Sequence, residues 1–265
     1  DGKPTFIGPE TSMQIQAALG SDIAMLFDEC PPYPCDREYA ERSGELTLRW
    51  AQRCKDWVAK NQPEAGGGGR QLHFGIVQGS VYPELREHSA RGLVELDFDG
   101  YAVGGVSVGE PEREMLAAVE HSVPYLPEDK PRYAMGLGTP AQMVEMVARG
   151  IDMFDCVLPT RVARTGTAYT ADGTINLKNQ KFARDQRPIE DGCGCPACAG
   201  GFARGYIRHL IKSGEILGVR LTTLHNLHFY LDLLARAREA LKAGRFSDFR
   251  SAAANRWAPA AETGA

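Results

Sequence analysis

Two aspartates stand where short apolar runs end, a position from which a carboxylate can do chemistry. Asp28 follows the apolar run 23–27, and Asp155 lies inside the run 153–158. A carboxylate at the end of a buried strand can serve as a nucleophile or as a general acid or base. For Asp155 the alternative is a buried side chain that caps the next element.

Three cysteines, Cys193, Cys195 and Cys198, lie within six residues, and His225 follows 27 residues after the last of them. Zinc prefers four tetrahedral nitrogen or sulfur ligands, so three thiolates and one imidazole fit a closed site. His228 lies on nearly the same helical face and is the alternative fourth ligand. Because no carboxylate in the cluster could activate water, we expect one structural Zn²⁺ ion.

These side chains need elements to position them, and the first 160 residues alternate apolar runs with helical stretches. The runs are 23–27, 72–77, 100–106, 133–137 and 153–158, and the helical stretches are about 37–62, 83–96, 111–122 and 140–149. This alternation predicts βαβ units around a parallel sheet, whose carboxyl edge carries the chemistry. Five units are visible where a (β/α)₈ barrel needs eight, and a doubly wound open sheet remains the alternative.

The alternation of apolar runs and helical stretches ends after residue 160. Residues 161–192 indicate a hairpin and loops, and two helical stretches follow at about 202–213 and 223–243. We therefore predict three regions: 1–160 as the C-terminal part of a barrel, 161–250 as a zinc-binding subdomain with closing helices, and 251–265 as a disordered, Ala-rich tail.

Composition and charge narrow the class of protein. The chain has 265 residues, a hydrophobic fraction of 43% and a formal net charge of −4, which exclude a disordered chain. No apolar run approaches the roughly 18–20 residues of a membrane span. Residues 161–265 hold 16 basic and 9 acidic side chains, whereas residues 1–160 hold 14 basic and 25 acidic side chains. The basic region suits a polyanionic substrate.

The chain has seven cysteines and no signal-peptide pattern. These features predict reduced thiols in the cytoplasm.

Six motifs, in order and at compatible spacing, resemble the bacterial-type tRNA-guanine transglycosylases. They are FDEC at 27–30, GIVQGS at 75–80, DGYAVGG at 99–105 with VGE at 108–110, YAMGLG at 133–138, MFDCVLPTR at 153–161, and the Cys-x-Cys-x-x-Cys…His set. The resemblance runs from residue 1 to about 250. It implies an α/β fold, a (β/α)₈ TIM barrel with a zinc-binding subdomain, present here as an incomplete barrel of about five strand–helix units.

The same resemblance implies a function. The family exchanges guanine at wobble position 34 of tRNAs with GUN anticodons (those for Asp, Asn, His and Tyr) for a 7-deazaguanine, on the way to queuosine. We therefore expect a pentosyltransferase that uses the aminomethyl base preQ1, acts in the cytoplasm as a homodimer and binds no membrane. The alternative is a non-catalytic tRNA-binding relative, which the retention of Asp155 and the zinc ligands disfavours.

Residue roles follow by motif. Asp155 resembles the covalent nucleophile that attacks ribose C1′, and His225 the fourth zinc ligand. The base-binding group comprises Asp28, Cys30, Gln78, Gly105, Val106 and Met135. The segments that hold the anticodon RNA comprise Gly136, Leu137, Gly138, Thr139, Pro140, Ala141 and Gln142, and Thr160, Arg161, Val162, Ala163 and Arg164. Met135 as plain core, and Arg161 and Arg164 as solvated charges, are the open alternatives.

Two departures from the family pattern stand out. The family has a further N-terminal region with three strand–helix units and a general acid/base aspartate in a Ser-Gly-Gly-Phe-Gln context, and neither occurs here. We therefore expect a fragment that lacks this carboxylate and is either inactive or an incomplete copy of a longer enzyme. Val106-Ser107 replaces the usual Leu-Ala or Leu-Ser, and Val108 is the residue that in the family accompanies preQ1.

Overall fold

The computed structural model describes residue 2 and residues 4–257. The chain divides into two compact units. The first contains the residues up to Leu137 together with Arg149–Asp155, and the second contains Gly138–Ala148 together with the residues from Cys156 onward.

Five parallel strands form the sheet of the first unit. They are β1 (Ile23–Met25), β2 (Leu72–Val77), β3 (Gly100–Val103), β4 (Arg132–Ala134) and β5 (Met153–Phe154). Their spatial order follows their order in the chain, whereas a doubly wound sheet reverses its strand order at a switch point. The sheet is a curled half-barrel, so the predicted α/β barrel class is confirmed and the open doubly wound alternative is wrong.

The described part of this unit has a 3₁₀ helix (Val123–Tyr125) and four α-helices: α1 (Pro9–Leu19), α2 (Arg37–Asn61), α3 (Pro83–Glu95) and α4 (Glu112–Glu120). Helix α2 begins after Asp36, whose carboxylate accepts a hydrogen bond from the Tyr39 N–H at 2.7 Å, a standard N-cap. Helix α3 begins with Pro83 in its first turn, where the missing N–H of proline costs nothing.

The central strands are buried on both faces. Phe74, Ile76, Tyr101 and Val103 are each at most 2% exposed, which explains why these strands are apolar runs rather than alternating patterns. A core cluster on the outer face joins the sheet to α2 and α3 through residues that include Cys54 and Leu93.

Strand register brings the ends of the strands together. The pairs Val77–Val103, Val103–Ala134 and Ala134–Phe154 form one continuous row across four strands. The residues that follow this row are Gln78, Gly104, Met135 and Asp155. They occupy one carboxyl edge, the position at which parallel α/β sheets carry ligands.

Several strands are shorter than the predicted runs. β1 ends at Met25, β3 at Val103 and β5 at Phe154. Positive φ angles at Gly105 and Gly136 turn the chain away from the ladder, a conformation that glycine adopts without steric cost. The second half of the run 153–158 instead leads into a helix that begins at Leu158.

The second unit contains a β-hairpin, six α-helices and a 3₁₀ helix (Gln180–Phe182) in its described part. The hairpin pairs β6 (Thr167–Thr170) with β7 (Gly173–Asn176). The helices are α5 (Pro140–Ala148), α6 (Leu158–Ala163), α7 (Pro196–Ala199), α8 (Arg204–Lys212), α9 (Ile216–Lys242) and α10 (Phe246–Arg256). Ala168, Leu177, Ile189, Ile207 and Leu221 form the core of this unit.

The structure differs from the expected disordered tail at 251–265. Helix α10 continues to Arg256 because Ala253 is buried and the indole N–H of Trp257 donates to the Thr170 carbonyl at 3.1 Å. Residues 258–265 lie outside the described residues. Among the residues that the structure does describe, no helix has the length and apolarity that a membrane span requires.

Two glycines give opposite predictions for the stability of the fold. A Cβ at Gly100 would lie 2.5 Å from a ring carbon of the buried Phe74, whereas a Cβ at Gly44, inside α2, would meet nothing within 4 Å. We expect Gly100→Ala to lower the free energy of unfolding by about 1–3 kcal/mol through overpacking. The matched control Gly44→Ala should raise it by about 0.5–1 kcal/mol. Urea titration measures both, and a Gly100→Ala protein at least as stable as the wild type would contradict this packing.

Candidate active site and metal centre

Asp28 and Gln78 meet at the carboxyl edge of the sheet. The side-chain amide nitrogen of Gln78 donates to Asp28 Oδ2 at 2.6 Å, and the Gln78 backbone N–H donates to Ser89 Oγ at 3.0 Å. Gln78 is completely buried. Its amide oxygen, Oε1, has no hydrogen-bond partner in the described structure, so the buried Gln78 beside the half-buried Asp28 retains unused hydrogen-bonding capacity.

The Gly104–Gly105 turn packs directly on Gln78. A Cβ at Gly105 would lie 2.5 Å from Gln78 Oε1, and a Cβ at Gly104 would lie 2.7 Å from Gln78 Nε2. Gly105 also has a φ of 60°. Only glycine satisfies both the close approach and the backbone conformation at this position. The next residue, Val106, is buried.

Burial affects the acidity of Asp28 and Cys30. Desolvation raises the pKa of the Asp28 carboxyl, although the hydrogen bond from Gln78 acts in the opposite direction. Cys30 is an exposed residue, but partial desolvation of its sulfur and the neighbouring Asp28 charge raise the pKa of the thiol, while the Gly105 N–H and Gln78 lower it. A neutral thiol suits a residue that lines the pocket rather than a nucleophile.

Glu110 closes the loop that follows Gly105. Its carboxylate accepts from the backbone N–H of Ser107 and, at 2.8 Å, from that of Val108. Ser107 has a φ of 61°, a conformation uncommon for a residue other than glycine. The carboxylate therefore holds a strained turn against the pocket.

Asp155 is held at the end of β5 by two donors. Its Oδ1 accepts from the Tyr133 hydroxyl at 2.6 Å and from the Gly136 backbone N–H at 2.7 Å. Within the described residues no hydrogen bond goes to Oδ2. The side chain is exposed and does not cap α6. One oxygen is thus fixed and the other is open to a substrate.

Tyr133 remains a donor to this carboxylate. Burial and the adjacent Asp155 raise the pKa of its phenol above the usual value. The hydroxyl therefore keeps its proton across the physiological pH range. Met135, two residues further along, is half-buried at the same edge.

The predicted RNA segments have mixed environments. Within 136–142, Leu137, Gly138 and Pro140 are buried and Ala141 is half-buried. Thr139 and Gln142 form a capping box, because the Thr139 N–H donates to Gln142 Oε1 at 2.9 Å and the Gln142 N–H donates to Thr139 Oγ1 at 3.3 Å. This box begins helix α5.

Within 160–164, three polar side chains are exposed: Thr160, Arg161 and Arg164. Val162 is half-buried and Ala163 is buried. Short helix α6 therefore turns its polar residues outward and its alanine inward, and the two arginines are available to an anionic partner.

Cys193, Cys195, Cys198 and His225 form a cluster that could hold a metal ion. Their ligand atoms lie within 4.8 Å of one another. His225 Nδ1 is 3.6, 3.5 and 3.5 Å from the three sulfurs in chain order. With Zn–S of about 2.3 Å and Zn–N of about 2.05 Å, a tetrahedral ion would separate nitrogen and sulfur by about 3.6 Å. The donor set and its spacing fit a tetrahedral zinc ion.

A backbone carbonyl orients His225. Its Nε2 lies 2.7 Å from the Tyr169 carbonyl oxygen of β6, which fixes the ring with Nδ1 toward the sulfurs. The competing residue, His228, packs beside Gly194, where its ring would be 3.8 Å from an added Cβ. The cluster is therefore completed by His225 rather than by His228.

Three residues of the site received no role from sequence reasoning: Arg86, Glu110 and Tyr133. Glu110 and Tyr133 lie inside the quoted motifs, so their positions at the carboxyl edge were a usable signal. Arg86 had none, because an arginine in the first turns of a helix looks like a solvated charge. It is completely buried.

The family model and the curated relatives that match this chain carry the same family description. The family model described as TGT, queuine tRNA-ribosyltransferase, matches residues 1–259. The queuine tRNA-ribosyltransferase of Pelotomaculum thermopropionicum is 55% identical over 250 residues, covering 94% of this chain and 65% of that protein. Those of Bacillus subtilis and Staphylococcus aureus are 53% identical, covering 94% of this chain and 64% of each protein. The chain thus spans slightly less than two thirds of the length of these curated relatives.

The metal centre gives a prediction with a matched control on the same helix. In the full-length gene product, we expect His225→Ala to reduce bound zinc from about one per chain to well below that value, because three ligands no longer close the site. His228→Ala should keep the ion. Elemental analysis of the purified proteins measures the metal content. Loss of metal in His228→Ala, with retention in His225→Ala, would contradict the assigned ligand set.

Proposed function

Because this chain belongs to the queuine tRNA-ribosyltransferase family, we propose that it carries out tRNA-guanine transglycosylation. The reaction exchanges guanine at wobble position 34 of tRNAs with GUN anticodons for preQ1, a step of queuosine biosynthesis. The observation that carries the proposal is the open carboxylate Asp155, fixed by Tyr133 and Gly136 at the sheet edge that also carries the Asp28–Gln78 pair.

Asp155 acts as the nucleophile in this proposal. Its free oxygen forms a bond to ribose C1′ as the C1′–N9 bond breaks and the electron pair leaves with guanine. Nitrogen N9 of the incoming base then attacks C1′ and releases Asp155, and the incoming base loses the proton that the departing base gains. Two displacements retain the configuration, as in retaining glycosidases.

Asp28 and Gln78 read the base. An ionised carboxylate only accepts hydrogen bonds, so Asp28 suits the N1–H and N2–H₂ donors of guanine. Gln78 now donates to Asp28. When guanine supplies donors to Asp28, the Gln78 amide is free to donate to O6 together with the Gly105 N–H. Cys30, Val106 and Met135 line the pocket that encloses a flipped base.

The residues 136–142 and 160–164 are the segments that contact the anticodon RNA in this proposal. Exposed Arg161 and Arg164 are the contacts to phosphate or base, since a guanidinium matches phosphate oxygens. Val108, partly exposed on the loop after Gly105, limits the space for the substituent of the incoming base and favours preQ1. The protein acts on tRNA in the cytoplasm, and we propose a homodimer.

One zinc ion has a structural role in the second unit. Cys193, Cys195, Cys198 and His225 would hold it, and the ion would supply fixed tetrahedral bonds rather than activated water. Because His225 also contacts the Tyr169 carbonyl, these ligands link the cysteine loop, helix α9 and the β6–β7 hairpin.

Removal of the nucleophile tests the proposed reaction. In the full-length gene product, Asp155→Asn should lower incorporation of radiolabelled guanine into unmodified tRNA by ~10³-fold or more, because the amide cannot form the ester bond to C1′. Asp172→Asn, which changes an exposed carboxylate at the hairpin turn, should leave the rate unchanged. Undiminished exchange by a folded Asp155→Asn protein would refute the assignment.

The raised pKa of Asp28 predicts a pH dependence of base binding. Protonation removes the acceptor that guanine needs, and a raised pKa places this loss at a higher pH than the usual value of about 3.9. The KM for guanine should therefore rise as the pH is lowered, and this rise should begin at a higher pH than an unperturbed aspartate would give. The Asp28→Asn protein should bind guanine more weakly than the wild type at pH 7.5, and its KM should no longer depend on pH in the acid range. If the KM of the Asp28→Asn protein still rose at low pH as in the wild type, another group would be responsible for the titration.

A further inference from the structure

Arg86 is a buried cation beneath the base-reading loop. It lies in the second turn of α3 and is completely buried. Nε donates to the Ser80 carbonyl at 2.7 Å, Nη1 to the Gly104 carbonyl at 2.8 Å, and Nη2 to the Gly105 carbonyl at 3.2 Å. One side chain thus joins the chain segments that leave β2 and β3.

This burial is energetically unusual. Burial of an isolated charge is strongly unfavourable unless the charge is paired or well hydrogen-bonded. All three bonds of Arg86 go to backbone carbonyls rather than to a carboxylate, and Glu110 acts on it only through its electrostatic field. Burial lowers the pKa of the guanidinium to about 10, so the group remains charged at neutral pH. An apolar side chain of similar volume would fill this space without the cost of burying a charge, so packing alone does not account for an arginine at this position.

The hydrogen bond to the Gly104 carbonyl acts on a group of the proposed site. The Gly104 C=O and the Gly105 N–H belong to one planar peptide unit, and in a trans peptide they point in opposite directions. The carbonyl faces Arg86, whereas the N–H faces Cys30, which lies beside Asp28. A cation that bonds to the carbonyl polarises the peptide and strengthens its N–H as a donor.

We propose that Arg86 is a positioning residue that polarises the Gly104–Gly105 peptide toward the departing purine. This inference rests on the proposed function. When the C1′–N9 bond breaks, the electron pair stays on the purine and its negative charge is shared with O6. The Gly105 N–H, fixed and polarised by Arg86, binds O6 more tightly in the transition state than in the ground state, which accelerates the reaction.

The test compares two bases that differ at the atom in question. Guanine carries O6 and an N1–H, whereas 2-aminopurine lacks both, so each base is compared only with itself between the wild type and the variant. In the full-length gene product, Arg86→Met should raise the KM for guanine about 10-fold and lower kcat as well. The inhibition constant of 2-aminopurine against guanine exchange should change less than about 2-fold. Arg91→Met on the exposed face of the same helix, where Arg91 pairs with Glu87, is the matched control and should change neither constant.

A purely structural role gives a different result. If Arg86 only supports the loop, its removal should weaken the binding of guanine and of 2-aminopurine by the same factor. This outcome would overturn the inference. If Arg86→Met does not fold, Arg86→Lys retains the charge without the three-pronged contact and should show a smaller guanine-selective loss of about 3-fold; an unselective loss would again overturn it. Absence of exchange in the wild type would refute the proposed function itself, separately from any effect of Arg86.

Discussion

The row Val77–Val103–Ala134–Phe154 is the constraint on which the candidate active site depends. In parallel strands, the residues that directly follow a row of paired residues all lie at the same carboxyl edge of the sheet. Gln78, Gly104, Met135 and Asp155 therefore come together from parts of the chain up to 77 residues apart. A shift of one residue in any strand would turn its side chains to the opposite face. The apolar core that fixes this register also fixes the site.

A second level of order lies on top of this register. Glycine at 104 and 105 allows the backbone to approach Gln78, Arg86 holds the two carbonyls of that turn from below, and Glu110 holds the following N–H groups. The backbone groups of this loop are thus directed by two charged side chains, the buried Arg86 and the half-buried Glu110. Preorganised dipoles of this kind suit the proposed reaction, in which charge moves onto the base.

Much of this arrangement was predictable from the sequence. The alternation of apolar runs and helical stretches predicted all five strands of the sheet, and the cysteine spacing predicted the metal cluster. Strand ends were less predictable, because the positive φ angles at Gly105 and Gly136 depend on tertiary contacts. The fourth metal ligand was ambiguous on helical periodicity, and the Tyr169 carbonyl, 56 residues away in sequence, selects His225. The role of Arg86 could not be predicted from the sequence, because the side chain becomes buried only when α3 packs over the ends of β2 and β3.

The covalent attachment to Asp155 is the central claim, and peptide mapping tests it directly. The full-length gene product would be mixed with unmodified tRNA and guanine, quenched in denaturant, and digested with nuclease and protease. We predict that mass spectrometry finds a ribose-phosphate adduct on the peptide that contains Asp155, with fragmentation locating it at that carboxylate. An adduct on another residue, under conditions where guanine is exchanged, would contradict the account.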